Sequence, residues 1–281
     1  MKQYDTISPL KTEIGQHKKK GLKIGFVPTM GALHPGHISL IHRAKKHAEI
    51  VVVSVFVNPT QFNDPSDYEK YPRDLTYDLA RLKENGADMV FTPSEKEIYP
   101  EKDTRKFNFG PLENVMEGKH RPGHFNGVAQ VVSRLFDIVE PDVAVFGEKD
   151  FQQLAIIRKM VKDYNYPVDI IGAPIVREKD GLAMSSRNMR LNEEERQSAA
   201  LINQILSASK NKTHQYNVKQ LEAWVIKSVN TIDHLEVEYF QIVDAETLQK
   251  VSDWQENCDK IGCIAVYCGE VRLIDNIKYS F

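Results

Sequence analysis

The sequence has 281 residues, of which 41% are hydrophobic and 27% are charged, and its formal net charge is −2. This length is enough for a full hydrophobic core and two domains. The charge gives no general attraction to nucleic acid or to an anionic membrane, so an anionic substrate must be held by local positive groups.

Targeting signals and cysteines place few further constraints on the protein. The first five residues lack the apolar core of a signal peptide, and the chain has no run of about 18 apolar residues. We therefore expect a cytoplasmic protein. The three cysteines, Cys258, Cys263 and Cys268, are an odd number near the end of the chain, which favours reduced thiols over a disulfide or zinc framework.

The first part of the chain alternates predicted strands and helices. Apolar runs predict strands at residues 23–27, 50–57, 89–91, 142–146 and 168–173. Helical spacing predicts helices at residues 6–20, 74–85 and 126–139, one that starts near Pro35 and one that Asp150 caps. The run IVVVSVFV from Ile50 is too continuously apolar for a half-exposed strand and is typical of a parallel sheet covered on both faces. The predicted fold class is α/β, with a doubly wound, Rossmann-like parallel sheet.

Two of the predicted helices have regularly spaced apolar residues, and one segment of the chain is irregular. The helix after Pro35 should bury Ile38, Ile41, Ala44 and Ala48. The helix at 74–85 carries Leu75, Leu79 and Leu82 at helical spacing. Residues 94–123 lack a clear period, and we expect an excursion beside the site.

The pattern changes near Arg187. Asn192 followed by three glutamates predicts the start of a helix that ends near residue 209, and a second helix is expected at 218–232. Strands are predicted at 237–243 and 261–267. This order favours a smaller α+β domain, so we place the domains at residues 1–176 and 177–281.

The segment from Phe26 to His37, FVPTMGALHPGH, is predicted to be a strand, a tight turn and a helix start. Pro35 suits the first turn of a helix, and Gly31 and Gly36 allow a ligand to approach the backbone. His34 and His37 should lie beside free backbone N–H groups at the positive end of the helix dipole, which favours an anion site, most plausibly for phosphate. The glycines and proline could instead serve only the turn. The histidines could also be two metal ligands, although no HExxH motif or cysteine cluster completes such a site.

Other polar residues follow the predicted strands. Lys149 could meet phosphate oxygens and Asp150 could accept from ribose hydroxyls, or they could be a surface lysine and an ordinary helix cap. Gln61 and Gln153 can donate and accept, as recognition of a hydroxyl-bearing carboxylate requires, although glutamines are more often solvated. Arg121 and His124 could hold an anion or shape a loop. Residues 181–188, GLAMSSRN, could fold over a triphosphate or link two domains.

The order of these motifs resembles the HxGH nucleotidyltransferase and class I synthetase superfamily. In that superfamily an HxGH motif and a KMSKS-like loop flank ATP. Here Ala183-Met184-Ser185-Ser186-Arg187 stands in the place of the loop, without the first lysine and with arginine for the second. The full set is similar to the pantothenate synthetase family, whose motifs match PTMGALHPGH at 28–37, FVNPTQF at 56–62, RPGHFNGV at 121–128, GEKDFQQ at 147–153 and GLAMSSRN at 181–188. Pro35 stands where the family often has an acidic residue.

The resemblance implies an ATP-dependent ligase that joins (R)-pantoate to β-alanine through a pantoyl adenylate. His34, His37 and Lys149 would be catalytic, with His37 a proton donor. Gln61 and Gln153 would bind pantoate, Met30 would line its pocket, and Gln61 would also lie near β-alanine. Arg121 and Asn58 complete the expected substrate-binding residues. The expected ATP-binding residues are Met30, Gly31, Ala32, Leu33, His34, Pro35, Gly36, His37, Gly147, Glu148, Lys149, Asp150, Val176, Met184, Ser185, Ser186 and Arg187.

The resemblance also implies Mg²⁺ with ATP, for which we assign no protein ligand, and a homodimer with no nucleic-acid or membrane partner. Two alternatives remain at this point. The acceptor of the adenylyl group could be a phosphate ester, as in a nucleotidyltransferase. The chain could also be a regulatory module that binds a nucleotide without turnover.

Overall fold

The computed structural model describes residues 1–63 and 65–280. Within them, the strands are β1 (Lys2–Tyr4), β2 (Ile24–Thr29), β3 (Ile50–Val55), β4 (Met89–Phe91), β5 (Val143–Gly147), β6 (Asp169–Ala173), β7 (Leu235–Asp244), β8 (Lys260–Cys268) and β9 (Val271–Tyr279). The α-helices are α1 (Ile7–Lys19), α2 (Pro35–Ala44), α3 (Pro65–Glu69), α4 (Leu75–Glu84), α5 (Glu95–Ile98), α6 (Met116–His120), α7 (His124–Val139), α8 (Phe151–Asp163), α9 (Glu193–Lys210) and α10 (Val218–Asn230).

These elements form two compact units. The first comprises Met1–Phe109, Arg121–Glu148 and Gln153–Pro174, and the second comprises Gly110–His120, Lys149–Gln152 and Ile175–Phe281. Residues 110–120 and 149–152 thus belong with the C-terminal part of the chain, although they precede residue 176.

The first unit is built on a six-stranded sheet in the order β1-β4-β3-β2-β5-β6, and every neighbouring pair is parallel. The central residues of β3, Val51 to Val53, are fully buried, as an apolar run covered on both faces requires. Ile41 and Ala44 of α2 pack into the same core. The predicted α/β class and Rossmann-like parallel sheet are confirmed.

The second unit contains the antiparallel sheet β7-β8-β9, against which α9 and α10 pack. Asn192 caps α9 and makes a reciprocal capping box with Glu195, so the helix begins where the asparagine and glutamates predicted it. The smaller α+β domain is confirmed.

An ion-pair network fixes α6 within the second unit. Arg272 of β9 donates to both Glu117 and Glu238, and the Tyr239 hydroxyl donates to Glu117 at 2.8 Å. Because these carboxylates lie close to the buried phenol, burial and the charge of Glu117 raise the pKa of Tyr239 well above its ordinary value. The phenol therefore stays protonated and can donate.

The structure also departs from the sequence prediction in both sheets and on α4. The antiparallel sheet has a third strand, β9, whose apolar residues are interrupted by Arg272, Asp275 and Asn276. The short edge strand β1 pairs with β4 and was not predicted. On α4, the regularly spaced leucines do not form one buried stripe: Leu75 is exposed, whereas the polar Asp78 is buried.

No helix among the described residues is long and apolar enough to cross a membrane.

Asp103 fixes the irregular segment before α7. Its carboxylate accepts from Arg105 at 2.7 Å and from Arg134 of α7 at 2.8 Å, and its side chain is only 2% exposed. The Gln130 amide also donates to the backbone carbonyls of Asp103 and Arg105, at 3.2 and 2.9 Å. The segment is therefore attached to the helix that carries His124.

We predict that Asp103 makes folding stability depend on acid pH. The hydrogen bond from Arg105 is the main cause that lowers the pKa of Asp103, against the opposing effect of burial. A carboxyl whose pKa is lower in the folded state stabilises the protein above its unfolded pKa of about 4, and this stabilisation is lost as the pH falls through the folded pKa. Asp103→Asn should lower the free energy of unfolding at pH 7 by about 1.5 to 3 kcal/mol and flatten its decline below about pH 4.

Urea unfolding at a series of pH values between neutral and strongly acid conditions measures both effects. Asp163→Asn is the control, because its ion pair with Lys159 is partly exposed and is worth about 0.5 kcal/mol. Parallel pH profiles for the parent and Asp103→Asn would contradict the prediction.

Candidate active site

The carboxyl ends of β2 and β5 lie at the point where the strand order of the parallel sheet reverses. From β2 the chain continues outward to β3 and β4, and it then returns to place β5 on the other side of β2. The register of β2 with β5 comprises Gly25–Val143 and Phe26–Ala144, whereas β2 pairs with β3 over all six residues. The strands therefore part toward their carboxyl ends, where open α/β sheets bind ligands.

The turn after β2 is held by a buried carboxylate. Asp78 of α4 accepts from the backbone N–H of Ala32 at 2.9 Å and of Leu33 at 2.8 Å. Gly31 and Ala32 have φ values of 80° and 51°, and a Cβ atom on Gly31 would lie 2.7 Å from Asp78 Oδ2. Burial raises the pKa of Asp78, while the two backbone hydrogen bonds oppose that rise. Asp78 thus fixes the backbone that leads into His34.

His34 and His37 cap the first turn of α2 reciprocally. Nδ1 of His34 accepts from the backbone N–H of Gly36 at 3.1 Å, and Nδ1 of His37 accepts from the backbone N–H of His34 at 3.3 Å. The ring centroids are 4.1 Å apart. Pro35 occupies the first helical turn, as predicted.

This capping selects one tautomer of each ring. Because each Nδ1 accepts a hydrogen bond, the hydrogen of each neutral imidazole is on Nε2. Protonation of Nδ1 would remove the cap. The geometry therefore favours two neutral rings that donate hydrogen bonds through Nε2 at the positive end of a helix.

Gln61 is oriented by residues at the ends of two neighbouring strands. Asn58, which is 1% exposed, donates to Gln61 Oε1 at 3.0 Å and to the backbone carbonyl of Gly127 at 3.2 Å. Tyr99 donates to Asn58 Oδ1 at 2.9 Å, which fixes the orientation of the asparagine amide. Gln61 Nε2 faces Met30 Sδ at 3.2 Å. Sulfur is a weak acceptor, so an oxygen of a ligand can replace it at little cost.

Arg121 and His124 hold the backbone of Gln61. His124 Nε2 lies 3.2 Å from Arg121 Nη1, and its Nδ1 lies 2.8 Å from the carbonyl oxygen of Gln61. Arginine can only donate, so Nε2 is the acceptor and Nδ1–H donates to the carbonyl. The structural-loop alternative for these two residues is therefore supported by geometry, and anion binding by Arg121 stays a prediction.

Close packing of α7 completes this part of the site. A Cβ atom on Gly127 would lie 2.3 Å from the backbone oxygen of Thr60, so only glycine lets the helix approach the turn that carries Gln61. Gly147 ends β5, and Glu148 and Gln153 are half-buried in the segment that follows. The binding roles of Glu148 and Gln153 stay predictions.

The remaining predicted residues belong to the second unit. Lys149 and Asp150 lie in a 3-10 turn, with Lys149 Nζ 3.9 Å from Asp150 Oδ2. Val176 and Met184 face each other in a short hairpin, where the N–H of Met184 donates to the carbonyl of Val176 at 3.0 Å. Ser185 caps the 3-10 helix Ser186–Arg190 through the N–H of Arg187. The loop that was expected to cover a nucleotide is therefore the continuation of a hairpin.

The described residues contain no cluster of side chains that could form a metal centre. Across residues 1–63 and 65–280, no group of three histidine, cysteine, aspartate or glutamate side chains could hold a metal ion. The alternative that His34 and His37 are metal ligands therefore lacks a third protein ligand within this part of the chain.

Comparison with known proteins identifies the family. The family model for pantoate-beta-alanine ligase matches residues 2–278. The chain belongs to the pantoate-beta-alanine ligase family. Members of this family are ligases, which agrees with the enzyme class that the motifs implied.

Similar proteins match along their full lengths. The pantothenate synthetase of Porphyromonas gingivalis W83 is 57% identical over 280 residues and that of Bacteroides thetaiotaomicron 54%, with 99 to 100% of each chain covered. A crystal structure of pantothenate synthetase from Thermus thermophilus superposes with a TM-score of 0.93 at 43% identity, with complete coverage of both chains. A pantoate-beta-alanine ligase from Francisella tularensis, complexed with beta-gamma ATP and beta-alanine, has a TM-score of 0.82 at 39% identity and covers 99% of this chain and 97% of its own.

Two residues of the candidate site were missed in the sequence analysis. Asp78 was placed on a helix but not beside the histidine turn, because its partners lie 45 and 46 residues earlier. Tyr99 lies in the irregular segment, where no period predicted its contact with Asn58. A polar residue inside the apolar spacing of α4 was the only local signal for Asp78.

We predict that two amide substitutions will separate the capping and donor functions of His37. Asparagine places an acceptor near the position of Nδ1 and keeps the cap, whereas glutamine places an N–H donor near the position of Nε2. His37→Asn should lower the ligase rate by about 10² to 10³, as the loss of a preorganised donor does. His37→Gln should retain more activity but lose about 1 kcal/mol of stability. Steady-state rates and urea midpoints test this, and the reverse order of activities would disprove the donor assignment.

Asp78→Ala should destabilise the protein and impair the ligase together. The N–H groups of Ala32 and Leu33, which are half-buried and buried, would lose a charged acceptor, which costs about 2 to 4 kcal/mol. The backbone turn that positions His34 and His37 would no longer be fixed. Asp74→Ala is the matched control, because Asp74 caps the exposed start of the same helix at a cost of about 1 kcal/mol. Equal activities of the two variants in their folded states would show that Asp78 does not position the histidines.

Proposed function

We propose that the chain catalyses the ATP-dependent condensation of (R)-pantoate with β-alanine to give pantothenate, AMP and pyrophosphate through a pantoyl adenylate. The observation that carries the proposal is the pair of reciprocally capped histidines at the switch point of the sheet. They supply two hydrogen-bond donors at a helix N-terminus, which suits the phosphates of a nucleotide. Membership of the pantoate-beta-alanine ligase family supports the same reaction.

In the first step, a carboxylate oxygen of pantoate attacks the α-phosphorus of ATP. The new P–O bond forms as the bond between the α-phosphorus and the bridging oxygen breaks, and pyrophosphate leaves with the electron pair. A carboxylate is already a competent nucleophile, so positioning and stabilisation of charge must supply most of the catalysis. We assign His34, His37 and Lys149 to the developing negative charge on the phosphates. His37 acts as a hydrogen-bond donor, which refines the expected role of proton donor.

Pantoate is assigned to the amides at the strand ends. Gln61 has a fixed amide and a donor that faces only a weak acceptor, so it can bind a hydroxyl or carboxylate oxygen of the acid. Asn58 orients Gln61, and Met30 provides an apolar neighbour for the methyl groups of pantoate. Gln153 and Arg121 complete the proposed substrate set from the family resemblance.

ATP is assigned to segments that match the family motifs. These are the turn from Met30 to His37, the segment Gly147 to Asp150, and the hairpin loop with Val176, Met184, Ser185, Ser186 and Arg187. We propose that residues 177–281 act as a domain that closes over the nucleotide. Closure would exclude water from the labile acyl adenylate.

In the second step, the neutral amine of β-alanine attacks the acyl carbon of the adenylate. The C–N bond forms, the C–O bond to the phosphate breaks, and AMP and a proton are released. Gln61 is the residue assigned to the neighbourhood of β-alanine.

The remaining assignments rest on the family resemblance. Mg²⁺ enters with ATP as part of the substrate, since magnesium in such sites is held largely by phosphate oxygens and water. A homodimer in the cytoplasm, without nucleic-acid or membrane partners, completes the proposal.

Exchange of labelled pyrophosphate into ATP tests the first step. The purified protein should catalyse exchange when pantoate is present and β-alanine is absent, because formation of the adenylate is reversible. Omission of pantoate is the control and should abolish exchange. Addition of β-alanine should then release AMP.

Two results would reject this function. A folded protein that shows no pantoate-dependent exchange cannot form the adenylate. A stable adenylylated product, with no release of AMP when β-alanine is added, would indicate nucleotidyl transfer instead.

A further inference from the structure

Two adjacent residues of β9 each bind a different segment of the second unit. Asp275 and Asn276 are buried, with 6% and 5% of their surfaces exposed. Asp275 accepts from Nη1 and Nη2 of Arg177 at 2.6 and 2.9 Å. Asn276 donates through Nδ2 to the backbone carbonyl of Lys149 at 3.2 Å.

The Arg177–Asp275 pair fixes the hairpin that carries the Met184 to Arg187 loop. Arg177 pairs with Ala183 across the hairpin and donates to the carbonyl of Gly181 at 3.1 Å. A bidentate arginine–carboxylate pair sets direction as well as distance. Since Met184 follows Ala183 directly, the orientation of Arg177 sets where the loop begins.

The hairpin is also bound on its other side. Arg196 of α9 donates to Glu178 at 2.7 Å, and Asn188 donates to Glu178 at 2.8 Å and to the carbonyl of Ala183 at 3.1 Å. The loop is thus tied back to its own hairpin. The Arg177–Asp275 pair then joins this hairpin to β9.

The Asn276 contact acts on the backbone of Lys149. The carbonyl of Lys149 is held, whereas its side chain is 20% exposed and extends toward Asp150. A fixed backbone limits the positions that the ammonium group can reach, and lysine has a long and flexible side chain. Asn276 therefore helps to fix the backbone position from which the Lys149 side chain extends.

We propose that Asp275 and Asn276 are positioning residues for the triphosphate: β9 holds Lys149 and the Met184–Arg187 loop in a fixed mutual geometry before ATP binds. This inference rests on the proposed function, which assigns both segments to ATP. Asp275 and Asn276 do not contact ATP in this proposal. They act through Lys149 and the Met184–Arg187 loop, which do. Because both segments are already held in place, less conformational entropy is lost when ATP binds.

Steady-state kinetics of Asp275→Asn and Asn276→Ala test the inference. Asp275→Asn keeps the shape of the side chain but replaces one acceptor oxygen by a donor that faces arginine. Asn276→Ala is the milder variant and removes the hydrogen bond to the carbonyl of Lys149. Each should raise the KM for ATP about tenfold, as the loss of about 1.4 kcal/mol implies, with the KM for β-alanine unchanged.

Tyr279→Phe is the matched control on the same strand. Tyr279 is buried and shares a hydrogen bond with Ser209 of α9 at 2.8 Å, and neither residue belongs to a segment that we assign to ATP. Its loss should lower the urea midpoint and leave the KM for ATP unchanged. Because a double-mutant cycle isolates a pairwise contact, Arg177→Lys combined with Asp275→Asn should also raise the KM for ATP by less than the product of the single effects.

The possible outcomes separate the two proposals. If the parent shows pantoate-dependent pyrophosphate exchange and both β9 variants keep the parent KM for ATP, the positioning role is wrong and the proposed function stands. If Tyr279→Phe raises the KM for ATP as much as the β9 variants do, the effect is general destabilisation and the inference is also wrong. If the parent itself shows no exchange, the proposed function fails and this inference fails with it.

Discussion

The candidate site depends on the two hydrogen bonds that the Asp78 carboxylate accepts from Ala32 and Leu33. They satisfy two backbone groups in a turn that has left the sheet and has not yet entered α2, where no ladder can pair them. They also explain the glycine at position 31, since a side chain there would collide with the carboxylate. With this turn fixed, the caps of His34 and His37 follow from the helix geometry. The chemistry of the imidazoles thus depends on an aspartate that lies in another helix.

Polar residues at this site mostly act on one another. Tyr99 orients Asn58, Asn58 orients Gln61, and His124 with Arg121 holds the backbone of Gln61. A side chain that already has partners for most of its polar atoms loses little conformational entropy when a ligand binds. This arrangement explains why so many polar groups of the first unit are buried near the ends of β2 and β3.

Sequence patterns predicted the elements that are determined by residues close together in the chain. The apolar run of β3, the Asn192 cap of α9 and the motif from Phe26 to His37 each carry their signal within a few residues, and the structure has the predicted elements there. Contacts between distant residues gave no such signal. Asp78 was missed because it lies in a helix whose regularly spaced apolar residues include the exposed Leu75. Strand β9 was missed because Arg272, Asp275 and Asn276 interrupt its alternation of apolar and polar residues. These polar residues are buried or half-buried because they bond to partners far along the chain, and a sequence window does not contain the partners.

The second unit is assembled from three separate stretches of the chain, and its last strand begins only at Val271. On the ribosome, residues 110–120 and the Lys149 turn are made long before β9, which supplies the partners of Glu117 and Lys149. Sequence separations of 155 and 127 residues must be closed before these contacts form, and such closure is slow and entropically unfavourable. A chain that stopped before Arg272 would therefore lack the β9 side chains that bind Glu117 and the carbonyl of Lys149, although both of these residues are synthesised much earlier in translation.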